Sequence, residues 1–367
     1  MLPTSPRPTT LRDASQGRDA AAEREAADRA TQGEHSPAVS RHRPRLEAVQ
    51  LGQYPAPRHT LAHLSDTHLL TGGRRQYGEV DPEPGLLQAL DRLAGLPTPP
   101  QAIVLTGDLA DLGEPAAYAR LRELVEPVAA GFGAQIVWVM GNHDERSAFS
   151  SAFFGEASSA PQDRVYDVDG LRIVSLDTSV PGWHHGEVDD DQLAWLRDVL
   201  ATPAAHGTVL AMHHPPVPLP LDDATVTIEL DAQDRLADVL AGSDVRTILA
   251  GHMHYSSYST FVGIPVSVAS ASCYTIALAT PGKFYSAVDG HQAIAAVHLY
   301  DEDAGGVPGA PVVHSVLPLA DAPEVTSYPV AVAEELAALS RDERRQLLSR
   351  KGAAARAERR EFRAAHR

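Results

Sequence analysis

The sequence predicts an α/β fold with buried sheets. Short aliphatic runs of strand length recur along the chain, and amphipathic segments of helical length separate them. This alternation is typical of sheets covered by helices. A third observation bears on function: carboxylate, imidazole and amide side chains directly follow five of the aliphatic runs.

The predicted elements follow one another along residues 60–317. Strands are predicted at Thr60–Ser65, Ala102–Thr106, Gln135–Met140, Leu171–Leu176, Val209–Met212, Thr247–Ala250, Pro265–Ala269, Ala293–Leu299 and Val312–Leu317. Helices are predicted at Pro84–Ala94, Pro115–Gly131, Asp189–Ala201 and Asp231–Ala241. The sequence shows no internal repeat.

Composition indicates a globular protein of one or two domains. The chain has 367 residues, 43% of them hydrophobic, which is enough for a large core. Cys273 is the only cysteine, so no intrachain disulfide can form, and a reducing compartment fits. No apolar run reaches the roughly 18 residues that a membrane helix needs. Residues 1–50 contain no apolar signal-peptide core, so we expect a cytoplasmic protein.

The charge of the chain is unevenly distributed. The net charge is −17; residues 1–50 carry 8 arginines and 7 acidic residues, and residues 341–367 carry 10 basic and 4 acidic residues, which leaves −24 for residues 51–340. Such an acidic body argues against nucleic acid as the main partner, because phosphate contacts need dense cationic surface. A small phosphate ester remains compatible if metal ions supply positive charge.

The two ends differ from the body. Residues 1–50 are rich in Ala, Arg, Asp, Glu, Pro and Ser, and we expect a disordered tail. Residues 51–320 would form the catalytic domain, and residues 321–367 a basic helical extension. For residues 341–367 a solvated helix is the favoured interpretation. The alternative is peripheral contact of this basic helix with anionic lipid or nucleic acid.

Five strand ends carry residues that bind metal ions. Their motifs, in chain order, are Asp66-Thr67-His68, Gly107-Asp108, Gly141-Asn142-His143-Asp144, His213-His214 and Gly251-His252-Met253-His254. Carboxylate, imidazole and amide donors suit Mn²⁺, Fe or Zn²⁺, and the lack of thiolates excludes a Cys-type structural zinc site. Each motif alone is a weak signal, whereas five in order predict one dinuclear centre.

The chemistry of the motifs suggests individual roles. Asp66 and His68 are two residues apart, so they can converge on one ion. A carboxylate can offer an oxygen to each of two cations, which makes Asp108 the natural bridge. Asn142 can bind through its neutral carbonyl oxygen, and His143 can protonate a leaving alkoxide. Of the adjacent His213 and His214, one is expected to bind metal.

The motif set resembles that of the calcineurin-like metallophosphoesterases, whose pattern is D-x-H, G-D, G-N-H-[DE], H and G-H-x-H. The resemblance covers about residues 61–317. Segments 210–217 and 249–274, together with His185-Gly186-Glu187 and the following Gln192–Leu196, are similar to the class III cyclic nucleotide phosphodiesterases of actinobacteria.

This resemblance implies a four-layered αββα sandwich with helices outside two central mixed sheets. It also implies two divalent ions, either Fe, Mn or Zn, and a homodimer. One ion would be held by Asp66, His68, Asp108 and His254, and the other by Asp108, Asn142, His213 and His252. His143 would be the catalytic histidine, with Asn142 beside it.

The leading functional hypothesis is hydrolysis of 3′,5′-cyclic nucleotides, cAMP and also cGMP, to 5′-monophosphates by metal-activated hydroxide. An alternative is a phosphodiesterase for 2′,3′-cyclic nucleotides or glycerophosphodiesters, because the metal site reads the phosphate and not the base. A non-catalytic scaffold is disfavoured, since no expected ligand is missing. Substrate contacts are predicted at His143, His185 and Tyr255, and stacking of a base on Tyr258 or Phe261 competes with packing of these rings in the core.

Overall fold

The structure is a computed structural model that describes residues 51–329 and 331–365. The predicted disordered tail, residues 1–50, lies outside the described residues. The described strands, in chain order, are β1 His59–Leu64, β2 Ala102–Thr106, β3 Gln135–Val139, β4 Arg164–Val168, β5 Leu171–Leu176, β6 Thr208–Met212, β7 Val245–Ala250, β8 Ser257–Phe261, β9 Ile264–Val268, β10 Thr275–Ile276, β11 Ala287–Val288, β12 Ala293–Leu299 and β13 Val312–Pro318.

The strands form two large sheets and one small hairpin. The first sheet has the order β13-β12-β1-β2-β3 and the second has the order β4-β5-β6-β7-β9-β8, while β10 pairs only with β11. Strands β1, β2 and β3 are parallel to one another, as are β5, β6, β7 and β9. Strands β12, β13, β4 and β8 pair antiparallel with their neighbours, so both sheets are mixed.

Helices cover the outer faces of the sheets. The described α-helices, in chain order, are α1 Pro82–Ala94, α2 Pro115–Phe132, α3 Arg146–Phe154, α4 Asp190–Leu200, α5 Gln233–Leu240, α6 Ala331–Ala338, α7 Arg341–Arg344 and α8 Ala353–Ala365. Among the described residues, each helix is too short or too polar to cross a lipid bilayer.

Three layers of apolar side chains follow from the alternation of residues along each strand. In β2, Ile103 and Leu105 pack with α1, α2 and α3, whereas Ala102 and Val104 face the second sheet. The third layer lies between the second sheet and helices α4 and α5. The predicted αββα architecture with two central mixed sheets is therefore confirmed.

The predicted elements agree with the observed ones to within about two residues at each end. Strands β2, β5 and β12 have the predicted bounds. The prediction missed β4, β8, the hairpin β10–β11 and helix α3. Residues 331–365 contain helices α6, α7 and α8, with breaks at residues 339–340 and near Gly352, whereas residues 321–329 are not helical. The basic helical extension at residues 321–367 stays a prediction.

Candidate dinuclear metal centre

The five motifs all follow parallel strands, namely β1, β2, β3, β6 and β7. The loops after β1 and β2 run side by side, because the N–H groups of Asp66 and His68 donate to the carbonyl oxygens of Gly107 and Asp108 at 3.1 and 2.8 Å. The His252 N–H donates to Asp66 Oδ2 at 3.1 Å, and His213 Nδ1 lies 2.7 Å from the Thr106 carbonyl oxygen. The carboxyl ends of both sheets therefore meet at one edge, and the candidate ligands meet there.

The backbone is strained at this edge. Five of the candidate ligands have positive φ angles, and they are Asp66, His68, Asp108, His252 and His254. Such conformations are uncommon for residues other than glycine and cost of the order of 1–3 kcal/mol each, which marks functional sites. Gly107 has φ +92°, and a Cβ there would lie 2.6 Å from His213 Nδ1, so only glycine lets β2 pass so close.

Asp66, His68, Asp108 and His254 form the first donor cluster. All four are buried, and one ligand atom of each lies within 4.8 Å of the others. His68 Nε2 lies 3.2 Å from His254 Nε2 and 3.3 Å from Asp108 Oδ2, and His254 Nε2 lies 3.4 Å from Asp66 Oδ1. Ligands that share one ion at about 2.1 Å are separated by about 3.0–3.4 Å, so the spacing fits.

Asp108, Asn142, His213 and His252 form the second donor cluster. His213 Nε2 lies 3.3 Å from Asp108 Oδ2 and 3.1 Å from Asn142 Oδ1, and His252 Nδ1 lies 3.1 Å from the same amide oxygen. Asp108 Oδ2 therefore faces both clusters, while Oδ1 accepts a hydrogen bond from the His143 N–H at 2.8 Å. One oxygen of the carboxylate, rather than one for each cation, occupies the bridging position.

The hydrogen bonds outside the first cluster fix the protonation of its histidines. His254 Nδ1 lies 2.9 Å from the carbonyl oxygen of Tyr274, which can only accept, so the proton is on Nδ1. His68 Nδ1 lies 2.9 Å from Asp111 Oδ1. His254 Nε2 is therefore an unprotonated lone pair, and it faces His68 Nε2, the atom through which His68 would bind a shared cation.

The second cluster has the same character. His213 Nδ1 lies 2.7 Å from the Thr106 carbonyl oxygen, and His252 Nε2 lies 3.0 Å from the Ile228 carbonyl oxygen. Their remaining nitrogens, His213 Nε2 and His252 Nδ1, each lie 3.1 Å from the oxygen of Asn142. In both clusters imidazole nitrogens and carboxylate or amide oxygens converge, and these donor types fit two divalent cations.

His184 determines the orientation of the Asn142 amide. Its Nδ1 lies 2.8 Å from Asn142 Nδ2, which directs the amide oxygen toward His213 and His252. His214, the alternative to His213, is held elsewhere: its Nδ1 pairs with Thr178 Oγ1 at 2.8 Å and its Nε2 with the His184 carbonyl oxygen at 3.0 Å.

Burial and charge determine how these groups titrate. Burial alone would raise the pKa of Asp108, but the imidazoles of His213, His143 and His68 hold this pKa well below its ordinary value. Burial lowers the pKa of His254 to about 4 and that of His214 to about 3. Both are therefore neutral imidazoles near pH 7. Burial alone would lower the pKa of His68 and of His213, but Cys273 and Asp108 raise the pKa of His68 well above its ordinary value, and Asp108 raises that of His213 to about 9. These two imidazoles therefore carry a proton near pH 7 that a bound cation would displace.

A comparison with known proteins supports this assignment. Residues 59–256 match the family model described as calcineurin-like phosphoesterase. The chain belongs to this family. It is therefore a member of a family of dinuclear-metal hydrolases, and the clusters described above are groups of residues that could hold metal ions.

Two relatives of this phosphoesterase are similar over most of their length. The first, from Rhodococcus erythropolis, is named a probable cyclic nucleotide phosphodiesterase and is 52% identical over 273 residues, covering 74% of this chain and 87% of the relative. The second, from Mycobacterium tuberculosis, is named a cAMP/cGMP dual specificity phosphodiesterase and is 52% identical over 284 residues, covering 77% and 86%.

Solved structures show the same fold at much lower identity. A dimetal phosphatase from Danio rerio is 16% identical, covers 72% of this phosphoesterase and 98% of its own chain, and superimposes with a TM-score of 0.51. The αββα arrangement of this chain is therefore that of the family.

The predicted substrate residues lie at different distances from the centre. His143 is half-buried, its ring centroid lies 4.7 Å from that of His68, and its Nδ1 lies 2.9 Å from the Asp111 carbonyl oxygen. His185 instead pairs with Glu187 at 3.1 Å. Tyr255 packs against the apolar layer of the second sheet, and burial raises its pKa. The roles of these three residues stay predictions.

Three supporting residues were not predicted. Asp111 pairs with His68, and His184 orients Asn142. The Asp144 carboxylate accepts hydrogen bonds from the N–H groups of Leu109, Ala110 and Gly141. Asp144 belongs to a motif that the sequence shows, whereas nothing in the spacing of Asp111 or His184 distinguishes them from surface residues.

Proposed function

We propose that this protein hydrolyses 3′,5′-cyclic nucleotides, cAMP and cGMP, to 5′-nucleoside monophosphates. The observation that carries the proposal is the pair of donor clusters that share Asp108 Oδ2, in which imidazole nitrogens and carboxylate or amide oxygens converge at 3.1–3.3 Å. The names of the two relatives that are 52% identical support cyclic nucleotides as the substrate class.

The residues that would hold the first ion are Asp66, His68, Asp108 and His254, and those that would hold the second are Asp108, Asn142, His213 and His252. When bound, two divalent ions neutralise charge on phosphoryl oxygens and lower the pKa of water. Imidazole, carboxylate and amide donors favour Mn²⁺, Fe or Zn²⁺, and elemental analysis of the purified protein identifies which of them is present.

His143 is proposed to protonate the leaving ribose oxygen. Its Nδ1–H donates to the Asp111 carbonyl oxygen at 2.9 Å, which leaves Nε2 as the nitrogen that can carry a transferable proton. The ring is half-buried and adjoins His68, so it lies at the open side of the centre. The P–O3′ bond breaks, the ribose oxygen takes the proton, and water supplies the new oxygen of the monoester.

The test is a substrate panel. The Mn²⁺-loaded protein is assayed for kcat/KM on 3′,5′-cAMP, 2′,3′-cAMP and a glycerophosphodiester, with Asn142→Ala alongside. We expect turnover of 3′,5′-cAMP and a loss of more than about 100-fold in the variant, because the amide oxygen belongs to the second cluster. Turnover of only the other diesters would move the assignment to the alternative substrate class. Inactivity of the metal-loaded protein on all three would favour a scaffold.

His143→Ala provides a matched comparison in this panel. This variant keeps all seven donor residues, so metal content is expected to remain that of the wild type while kcat falls by about 10²- to 10⁴-fold. Asn142→Ala is expected to lose metal as well. Equal metal loss in both variants would contradict the separate roles of the two residues.

Further features of the proposal concern the whole chain. We propose a catalytic domain at residues 51–320, a basic extension at 321–367, a cytoplasmic homodimer, and small cyclic nucleotides rather than nucleic acid as partners. For residues 341–367 weak contact with anionic membranes is the alternative to a solvated helix. The test is to delete residues 341–367 and to measure binding of the shortened protein to liposomes and to DNA. Binding that is unchanged by the deletion would favour the solvated helix.

A further inference from the structure

Three exposed aromatic side chains lie together beside the metal centre. Tyr77, Phe284 and Tyr285 are 71%, 71% and 42% exposed, although aromatic residues make up only 5% of the chain. We propose that these three residues form the subsite that binds the nucleobase of the substrate. This inference rests on the proposed function, and it names the residues that recognise the part of the substrate that the metal centre does not contact.

The aromatic cluster is connected to the first donor cluster through Tyr274. The ring of Tyr274 lies 4.4 Å from that of the candidate ligand His254, and its other side contacts Tyr77 edge to face at 5.4 Å. Two successive ring contacts therefore separate the donor His254 from Tyr77. A phosphate at the metal centre and a base on Tyr77 are within reach of one nucleotide.

The position of Tyr77 is fixed by hydrogen bonds at both ends. Its hydroxyl lies 3.1 Å from the Tyr274 hydroxyl and 3.5 Å from that of Tyr285. Its backbone has φ +53° and belongs to a turn closed by the pairing of Gln76 with Val80. The Gln76 amide donates to Asp111 Oδ1, the same oxygen that pairs with His68 Nδ1. These hydrogen bonds preorganise the Tyr77 ring relative to the metal centre.

A cavity of ≈ 290 Å³ adjoins the aromatic cluster. Its lining includes Phe284 and Tyr285 together with Leu221, Asp222, Asp223 and Lys283. Its volume is near the lower end, about 300 Å³, of typical small-molecule sites. The two carboxylates outnumber the single ammonium group of Lys283, so the lining disfavours a second phosphate and favours a neutral planar group.

The chemistry of the lining fits a purine. Aromatic faces stack on any base, while phenolic hydroxyls both donate and accept hydrogen bonds, so they can pair with either an amino or a carbonyl group on the base. We therefore expect adenine and guanine to be accepted. The other aromatic candidates fit less well: Tyr255 packs in the third apolar layer, and the Tyr258 ring lies beside His314 at 6.4 Å.

The experiment compares Tyr77→Ala and Tyr285→Ala with Tyr258→Ala in the Mn²⁺-loaded full chain. Tyr258 is 52% exposed and is the matched control. We expect KM for 3′,5′-cAMP to rise about 5- to 150-fold in the first two variants with little change in kcat, because base stacking is lost. The inhibition constant of 5′-AMP should rise in parallel, and that of inorganic phosphate should not.

Two further results discriminate between explanations. Tyr77→Phe keeps the ring and should raise KM less than Tyr77→Ala. Equal effects on 5′-AMP and inorganic phosphate, or an equal effect of Tyr258→Ala, would overturn the proposal. Should the wild type fail to hydrolyse 3′,5′-cAMP, the proposed function fails by itself. Calorimetry with 5′-AMP and ribose 5-phosphate then still tests the subsite, and equal affinities for both would exclude it.

Discussion

At the scale of single residues, the geometry of the centre depends on which atom of each histidine already makes a hydrogen bond to the backbone. Thr106, Tyr274 and Ile228 accept hydrogen bonds at one nitrogen of His213, His254 and His252, and the other nitrogen is directed into the donor clusters. Five motifs in the sequence predicted these ligands. The carbonyl partners could not be predicted, because every residue has a carbonyl group and only the fold decides which of them is in reach.

Two supporting side chains illustrate the same limit. Asp111 lies four residues before the predicted helix Pro115–Gly131, where an acidic residue is ordinary, and His184 lies in a loop with His185. Their importance comes from contacts with His68 and Asn142, which are more than forty residues away in each case. Local pattern carries no information on contacts of this kind.

His63 makes stability sensitive to acid. It is fully buried in β1, donates to or accepts from Thr106 Oγ1 at 2.9 Å, and its Nδ1 has no hydrogen-bond partner. Burial lowers its pKa from 6.5 to about 3. A neutral folded-state histidine with a higher pKa in the unfolded chain contributes stability that is present above pH 6.5 and lost as the pH falls toward 3.

We therefore expect His63→Gln to reduce the pH dependence of stability. Between pH 6.5 and 4 the free energy of unfolding of the wild type should fall more steeply, by up to about 1.4 kcal/mol per pH unit, because unfolding takes up one more proton. Urea unfolding is measured at several pH values in EDTA, so that both proteins are compared without bound metal. Parallel curves for the two proteins would show that His63 is not the group responsible.

At the scale of elements, the loops after β2 and β3 are held together by Asp144. This buried carboxylate accepts hydrogen bonds from the N–H groups of Leu109, Ala110 and Gly141 and from the hydroxyl of Tyr118. The two loops carry Asp108 and Asn142, so a side chain that binds no metal maintains the spacing between donors of the second cluster.

Replacing Asp144 by Ala should leave three backbone N–H groups buried without partners. We expect a destabilisation of about 3–5 kcal/mol and weaker metal binding, because each unpaired buried group costs about 1–3 kcal/mol and the loops relax. The control is Tyr118→Phe, which removes one hydrogen bond to the same carboxylate and the hydroxyl that accepts from the Glu145 N–H at 3.1 Å, and it should cost about 1–2 kcal/mol. Chemical denaturation with metal titration measures both effects, and similar values for the two variants would contradict this role.

Strands β4 and β8 and helix α3 were not predicted because each lacks a strong hydrophobic pattern. Strand β4 contains Arg164, Tyr166 and Asp167, and β8 contains two serines and a threonine, because both strands lie at the edges of the second sheet and are partly exposed. They lack the aliphatic run of a central strand. Helix α3 follows the Asn142 motif and has two buried residues, Phe149 and Ser150, so its periodicity is weak.

At the scale of the whole molecule, the donors come from both sheets. Asp66, His68, Asp108 and Asn142 follow strands of the first sheet, and His213, His252 and His254 follow strands of the second. Each ion would therefore join the two sheets at the edge where their apolar layers end. Ligand binding to the native state alone stabilises a protein in proportion to the logarithm of ligand concentration.

Metal removal should accordingly lower the thermal stability of the whole domain. An ion at 100 times its Kd contributes about 2.7 kcal/mol, so EDTA treatment of the Mn²⁺-loaded wild type should lower Tm by several degrees. Asp108→Asn removes the charge of the ligand proposed to be shared by both ions, so it should reduce the difference in Tm between the metal-loaded and the EDTA-treated protein. Differential scanning calorimetry of both proteins with Mn²⁺ and with EDTA provides the measurement. A wild-type Tm that is independent of metal would contradict the cross-sheet role.

The order of the ligands along the chain has a consequence during synthesis. The contact between Asp66 and the His252 N–H joins residues 186 positions apart. Both ions require ligands that follow β7, so neither position is complete until the ribosome has made residue 254, and translation is slower than local folding. The cations cannot act as nuclei for the emerging chain. A product truncated before His252 would lack a proposed ligand of each ion, so we expect it to be metal-free and inactive.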